Sequence, residues 1–262
     1  MTEQIYTYGI VRTGHRLPSE ATGVGNPPER LRALSEGPLT IIVSRAPGGL
    51  LARRRDLLAH QETLLALASE GPVIPMRFGS VAPDEDTLRR RLTESPEEKH
   101  DALKRLDGRV EMNLKALVVE DSLPTLVRED ARIRRLHQES RSRPGYESSL
   151  RLGQAVAEGL ARRATQAAAR TVEQVRALAE AMSPGPEVEG CVLNMSFLLP
   201  REREGAFRTA VDRFVAEYRG QAELRLSGPL PCFSFTDPPP RARHRPRASR
   251  PSAAAVASER RS

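Results

Sequence analysis

Three stretches of this chain alternate apolar and polar residues with a period of two. They are RVEMNLKALV (109–118), GCVLNMSFLL (190–199) and AELRL (222–226). In the first, Val110, Met112, Leu114, Ala116 and Val118 share one side, while Glu111, Asn113 and Lys115 share the other. That period belongs to a strand with one apolar face and one wet face. Such strands exclude a parallel sheet buried on both sides and predict helices covering one side only, an α+β unit. The cover lies between them. Leu152, Val156, Leu160, Ala164, Ala168 and Val172 recur at helical spacing in a long helix expected to run to about Met182, where Ser183-Pro184-Gly185-Pro186 stops it. After Pro200, a second helical stripe carries Phe207, Val211, Phe214 and Tyr218. SGPLP is expected to turn, and CFSF (232–235) to close the sheet as a short strand. From residue 108 this order is close to a ferredoxin-like arrangement with one strand missing or displaced.

The first 107 residues predict their own unit. QIYTYGIV (4–11), LTIIV (39–43) and VIPMRF (73–78) read as strands. Between the last two, Leu50, Leu57, Leu58, Leu64, Leu65 and Ala68 mark the expected apolar face of a helix that Gly71-Pro72 ends. Pro83-Asp84 and Ser95-Pro96 each start a further helix. The expected fold is therefore α+β in two domains. An N-terminal α/β sandwich occupies 1–107, and a modified ferredoxin-like domain with a long helical insert occupies 108–236. Residues 237–262 hold five prolines and no apolar periodicity, which predicts a disordered, basic Pro/Arg-rich tail.

The net charge of +7 is concentrated in that tail, whose seven arginines stand against Asp237 and Glu259 and account for +5 of it. The body is nearly balanced. No aromatic residue interleaves the tail arginines, so a stacking platform for nucleic acid is lacking. A nucleic-acid-binding regulator acting through the tail is the alternative function; it predicts binding that falls steeply with salt and vanishes when 237–262 is deleted. Two cysteines far apart exclude a disulfide scaffold. The opening MTEQIYTYGIV has no secretory pattern, and no run approaches a membrane span, so a cytoplasmic protein without membrane contact is expected.

Motifs for chemistry are missing. There is no Gly-Lys for a phosphate loop, no Cys-x-x-Cys, no His-Glu-x-x-His and no Gly-x-Ser-x-Gly, and Gly23-Val24-Gly25 runs into Asn26-Pro27-Pro28. No enzyme, cofactor, metal or small-molecule substrate is expected. His60 reads as a partly exposed helical histidine, and Cys191 as a small buried hydrophobe. The Asp84-Glu85-Asp86 cluster reads as carboxylates favoured at a helix N-terminus.

Two segments stand apart from these readings: VIPMRFGSV (73–81) and LSGPLPCFSF (226–235). Together they resemble the gas vesicle protein F and L family. Pro75, Met76, Arg77, Phe78 and Gly79 match that family's Pro-x-Arg-Phe-Gly segment. Leu226, Gly228, Pro229, Pro231, Ser234 and Phe235 match its closing segment, with Leu230 in place of a Trp, Cys232 of a Pro and Phe233 of a Tyr. The opening YTYGIV, His60, the Gly-Arg-Val-Glu run (108–111) and LNMSFLLP (193–200) are also similar to the family, so the resemblance covers about residues 4–236. It implies a two-domain α+β accessory protein of gas vesicle assembly, in contact with the small hydrophobic shell protein and other accessory proteins. It also implies a place on the vesicle, for some members on its gas-facing side as a minor structural component. No catalytic residues come with it. The structural or partner-contact candidates are Pro75, Arg77, Phe78, Gly228, Pro229, Phe233 and Phe235. Pro75 predicts an edge or terminating strand. Arg77 is expected to pair with a carboxylate such as Glu111 across the domain junction.

Overall fold

A computed structural model describes residues 4–18 and 22–237; the predicted tail, apart from Asp237, lies outside the described residues. Two antiparallel sheets organise the chain. The first contains β1 (Ile5–Arg12), β2 (Arg32–Glu36), β3 (Leu39–Arg45), β4 (Ile74–Pro75) and β5 (Val81–Ala82). Its order is β2-β3-β1-β4, with β5 also paired to β1. Two strands here escaped the periodicity. β2 has a single buried residue, Leu34, and β5 is only two residues long, so neither carries a readable alternation.

The central strand β1 is buried along nearly its whole length because helices lie on both sides of it. A bulge between Thr7 and Gly9 switches its parity. Tyr6, Tyr8 and Val11 therefore share a cluster with Leu64 and Leu67 of α1 (Arg54–Glu70). Ile5 and Ile10 join Leu88 and Leu92 of α2 (Glu85–Thr93) and Leu103 of α3 (Pro96–Leu106). Asp84 caps α2 by accepting from the Thr87 N–H at 2.7 Å, and Pro96 occupies the first turn of α3. These are the helix starts read from Pro83-Asp84 and Ser95-Pro96.

The second sheet contains β6 (Arg109–Leu117), β7 (Ala181–Pro184), β8 (Cys191–Pro200) and β9 (Glu223–Leu230), in the order β7-β8-β6-β9. Between β6 and β7 come α4 (Leu123–Glu129), α5 (Ala131–Ser142) and α6 (Tyr146–Val175); α7 (Glu204–Glu217) joins β8 to β9. Helices α6 and α7 cover one face, packing Ala164, Ala168, Phe207 and Val211 on Met112, Leu114 and Phe197. The long helix ends at Val175 rather than near Met182. Residues 181–184 are a strand on β8, so part of the apparent helical stripe belongs to the sheet. SGPL continues β9 instead of turning, and CFSF forms a 3-10 turn at Phe233–Phe235 instead of a strand.

The second face of this sheet is not wet where β8 ends. Residues 196–200 are all buried. Leu198 packs there with Leu106 from the end of α3 and with Cys232 and Phe235 from the closing segment. The C-terminal turn and the last residue of α3 thus supply the layer that alternation alone left vacant. Cys191, expected to be buried, is only half-buried, and its thiol donates to the Leu193 carbonyl at 2.7 Å.

Candidate functional site

The helix ahead of the Pro75–Gly79 segment buries an unexpected set of residues. On α1 the buried positions are Asp56, His60, Thr63, Leu64 and Leu67, while Leu57 and Leu58 remain 42% and 44% exposed. His60 is not partly exposed but only 3% exposed. A buried polar group must find partners, and His60 finds two. Its Nε2 lies 3.0 Å from the Met76 carbonyl, which can only accept, so Nε2 carries the hydrogen. Nδ1 then accepts from the Tyr6 hydroxyl at 2.9 Å. The Tyr6 oxygen in turn accepts the Gly79 N–H at 3.2 Å. One chain of hydrogen bonds therefore grips the segment at Met76 and again at Gly79. Burial holds the His60 pKa below its ordinary value and raises that of Tyr6, so both stay neutral at pH 7.

The rest of the segment is held by packing. Pro75 is buried in β4 at the margin of the first sheet, paired with Gly9, where its missing N–H costs no ladder bond. Phe78 sets its ring against Tyr6 and His60, with centroids 6.1 and 5.8 Å away. Gly79 has φ +83°, a conformation that relieves the turn after Phe78. From residue 71 to 80 only Arg77 and Gly79 are exposed. Arg77 is therefore the single side chain this clamped segment presents to solvent. The expected Arg77–Glu111 pair does not form, because Glu111 is occupied elsewhere.

Glu111 was placed on the wet face by its parity, yet it is 3% exposed. Its carboxylate accepts the Ser234 N–H at 2.9 Å and the Ser234 hydroxyl at 2.8 Å. Ser196 and Asn113 extend the network, at 3.2 Å from Ser234 Oγ to Ser196 Oγ and from Asn113 Nδ2 to Ser196 Oγ. Arg105 of α3 closes the other side by donating to the Thr236 carbonyl at 2.9 Å. The closing segment is thus fastened over the second sheet by a buried carboxylate and an arginine. Phe235 is buried beneath it, whereas Phe233 is 38% exposed. Gly228 sits at φ +140° where β9 shifts register against β6, and a Cβ there would lie 2.5 Å from Met112 Sδ. Pro229 lines a cleft of about 220 Å³ between the two halves, together with Leu65, Val73, Leu106, Leu230 and Cys232. Desolvation pushes the Cys232 thiol up to about 12, so the free thiol stays protonated at pH 7.

The seven sequence candidates do not converge on one spot. Pro75, Arg77 and Phe78 belong to the α1 side of the first sheet; Gly228, Pro229, Phe233 and Phe235 belong to the closing side of the second. What joins them is α3 and the cleft, whose walls come from residues 71–73 on one side and 229–232 on the other. The residues that do the holding, Tyr6, His60, Glu111 and Ser234, were missed as a set. The available signal was polar residues at positions whose helical or strand period points inward. Among the described residues no group of three His, Cys, Asp or Glu side chains is placed to hold a metal. None of the helices described is long and apolar enough to cross a membrane.

Comparison with known proteins places this architecture. A family model described as gas vesicle synthesis protein GvpL/GvpF matches residues 4–237. Gas vesicle protein F of Streptomyces sp. strain CB03234 is 37% identical over 236 residues, covering 88% of this chain and 99% of that one. Gas vesicle protein L of the same strain is 31% identical over 256 residues, covering 88% and 91%. Among solved structures, GvpF from Anabaena sp. PCC7120 aligns with a TM-score of 0.73 at 20% identity, over 90% of this chain and 99% of that one. GvpF from Microcystis aeruginosa aligns at 0.70 and 19%, over 90% and 100%. At these identities the structural likeness establishes the fold.

Proposed function

The chain belongs to the gas vesicle synthesis protein GvpL/GvpF family, and from that premise we propose that it assists assembly of the gas vesicle shell by binding the small hydrophobic shell subunit. The observation that carries this reading is the 37% identity to a gas vesicle protein F along 99% of that relative's length. A subunit built to polymerise into a shell has apolar surface that must be covered until it joins the wall, and a folded partner with a rigid, partly apolar surface supplies that cover. The role is non-catalytic. It is carried out in the cytoplasm together with other accessory proteins, at the vesicle that they build. We read the two sheets as two domains, the second a ferredoxin-like unit. Supporting this are the succession strand, helices, strand, strand, helix, strand and the central position of β6 and β8.

The test is capture of co-produced shell subunit by the tagged full-length protein at low ionic strength. Retention of the subunit at a defined ratio is expected; no association overturns the proposal.

A further inference from the structure

Helix α1 breaks two local rules at once. Its core-facing side carries Asp56, His60 and Thr63, while Leu57 and Leu58 point outward. Its first turn collects Arg53, Arg54 and Arg55 at the positive end of the helix dipole, with no side-chain cap. Arg55 leans on Asp56 at 3.3 Å, but neither Arg53 nor Arg54 makes an ion pair among the described residues. Violations of this kind are retained where a function needs them.

The outward residues form a usable seam. Arg54, Leu58, Gln61 and Leu65 follow each other at spacings of four, three and four, while Ala68, one step further, packs on the core beneath. That is the period at which one helix meets another. The seam is about 17 Å long at 1.5 Å rise per residue. Its far end does not stop at solvent: Leu65 and Ala68 form part of the wall of the 220 Å³ cleft, opposite Leu106 and Leu230. One face of α1 thus begins in guanidinium groups, continues in exposed leucine and ends at a cleft whose lining mixes apolar residues with Glu70, Asp107, Arg109 and Arg201. Strand addition is the less favoured route of docking. Of the outer strands, β4 and β7 are short, two and four residues, and in each of β2 and β9 a carbonyl is already taken by an arginine from a helix, Ser35 by Arg89 at 2.9 Å and Gly228 by Arg208 at 3.0 Å.

We propose that the outward face of α1 is the docking surface for an amphipathic helix of the shell subunit. Aliphatic residues of that helix lie on Leu58 and Leu65, one of them reaching the cleft, and a carboxylate at its end meets Arg54. The partner's charge follows from the Arg53 and Arg54 guanidinium groups, which are unpaired among the described residues, and its helical form from the spacing of the seam. This inference rests on the proposed function and assigns it a surface.

The experiment is capture of the co-produced shell subunit by the full-length protein and by the variants L58E, R54E and L150E. Leu150 is also exposed, at 47%, but on α6 away from the seam. Leu58 is exposed, so L58E is expected to melt with the wild type, and that is checked first. Support is a loss of capture of more than tenfold in L58E and of several-fold in R54E, with L150E unchanged. Wild-type capture that L58E leaves intact overturns the docking surface while the shell-binding reading stands. No capture by the wild type removes both. A wild-type dimer in sedimentation that L58E converts to monomer also overturns it, since a second copy then covers the seam.

Discussion

Replacing His60 by Phe separates the polar role of this residue from its bulk. The ring is kept in a site that is 3% exposed, and both hydrogen bonds are lost. The Met76 carbonyl loses the imidazole N–H that reaches it, and the Tyr6 hydroxyl, on a residue with no exposure, loses its acceptor. Leaving a buried polar group unsatisfied costs about 1–3 kcal/mol, so the pair predicts a loss of about 2–6 kcal/mol. In a chain of this size that lowers the melting midpoint by roughly 4–24 °C. Denaturant unfolding followed by circular dichroism measures it. A change below about 0.5 kcal/mol refutes the view that His60 and Tyr6 clamp the Pro75–Gly79 segment. The same geometry sets a pH dependence. Burial holds His60 below its ordinary value near 6.5, so the unfolded chain takes up the proton first. Stability is complete above about pH 6.5 and declines as the pH falls below it, by up to about 1.4 kcal/mol per pH unit. His15, lowered by burial as well, acts in the same direction. In H60F the slope below pH 6.5 is expected to flatten.

Gly228→Ala combines a positive φ with a Cβ only 2.5 Å from Met112 Sδ, and a loss of about 2–4 kcal/mol is expected in thermal or denaturant unfolding; wild-type stability refutes the packing described for β9. Ser234→Ala removes the hydroxyl from a buried carboxylate and is expected to cost about 1.5–3 kcal/mol. A double-mutant cycle with Glu111→Gln should show a coupling above about 0.5 kcal/mol, whereas strict additivity counts against the fastening of the closing segment. Arg77→Ala, at an exposed position, is expected to leave stability within about 0.5 kcal/mol of wild type, and a larger loss measured by calorimetry means that Arg77 makes a contact within the fold.

The amino-acid sequence by itself determined the local elements whose pattern is long and regular. The alternation of 109–118 and 190–199 marks strands, the stripe after Tyr146 marks a long helix, and Asp84 and Pro96 mark helix starts, all of which the fold contains. It also carried the family, through two short segments whose order and spacing survive without a catalytic motif. It did not reveal which face of an element is covered. Leu57 and Leu58 look like core by spacing, yet α1 turns them outward, because Tyr6 and the Met76 carbonyl reward burial of His60. Glu111 looks like surface by parity, yet it is buried, because Ser234, 123 residues away in the chain, delivers two donors to it. Residues 181–184 continue a helical stripe in sequence and pair with β8 in space. In each case the deciding partner is remote along the chain. Periodicity reports how a segment is divided into faces; only the tertiary structure supplies the layer, or the hydrogen-bond partner, that decides which face is buried.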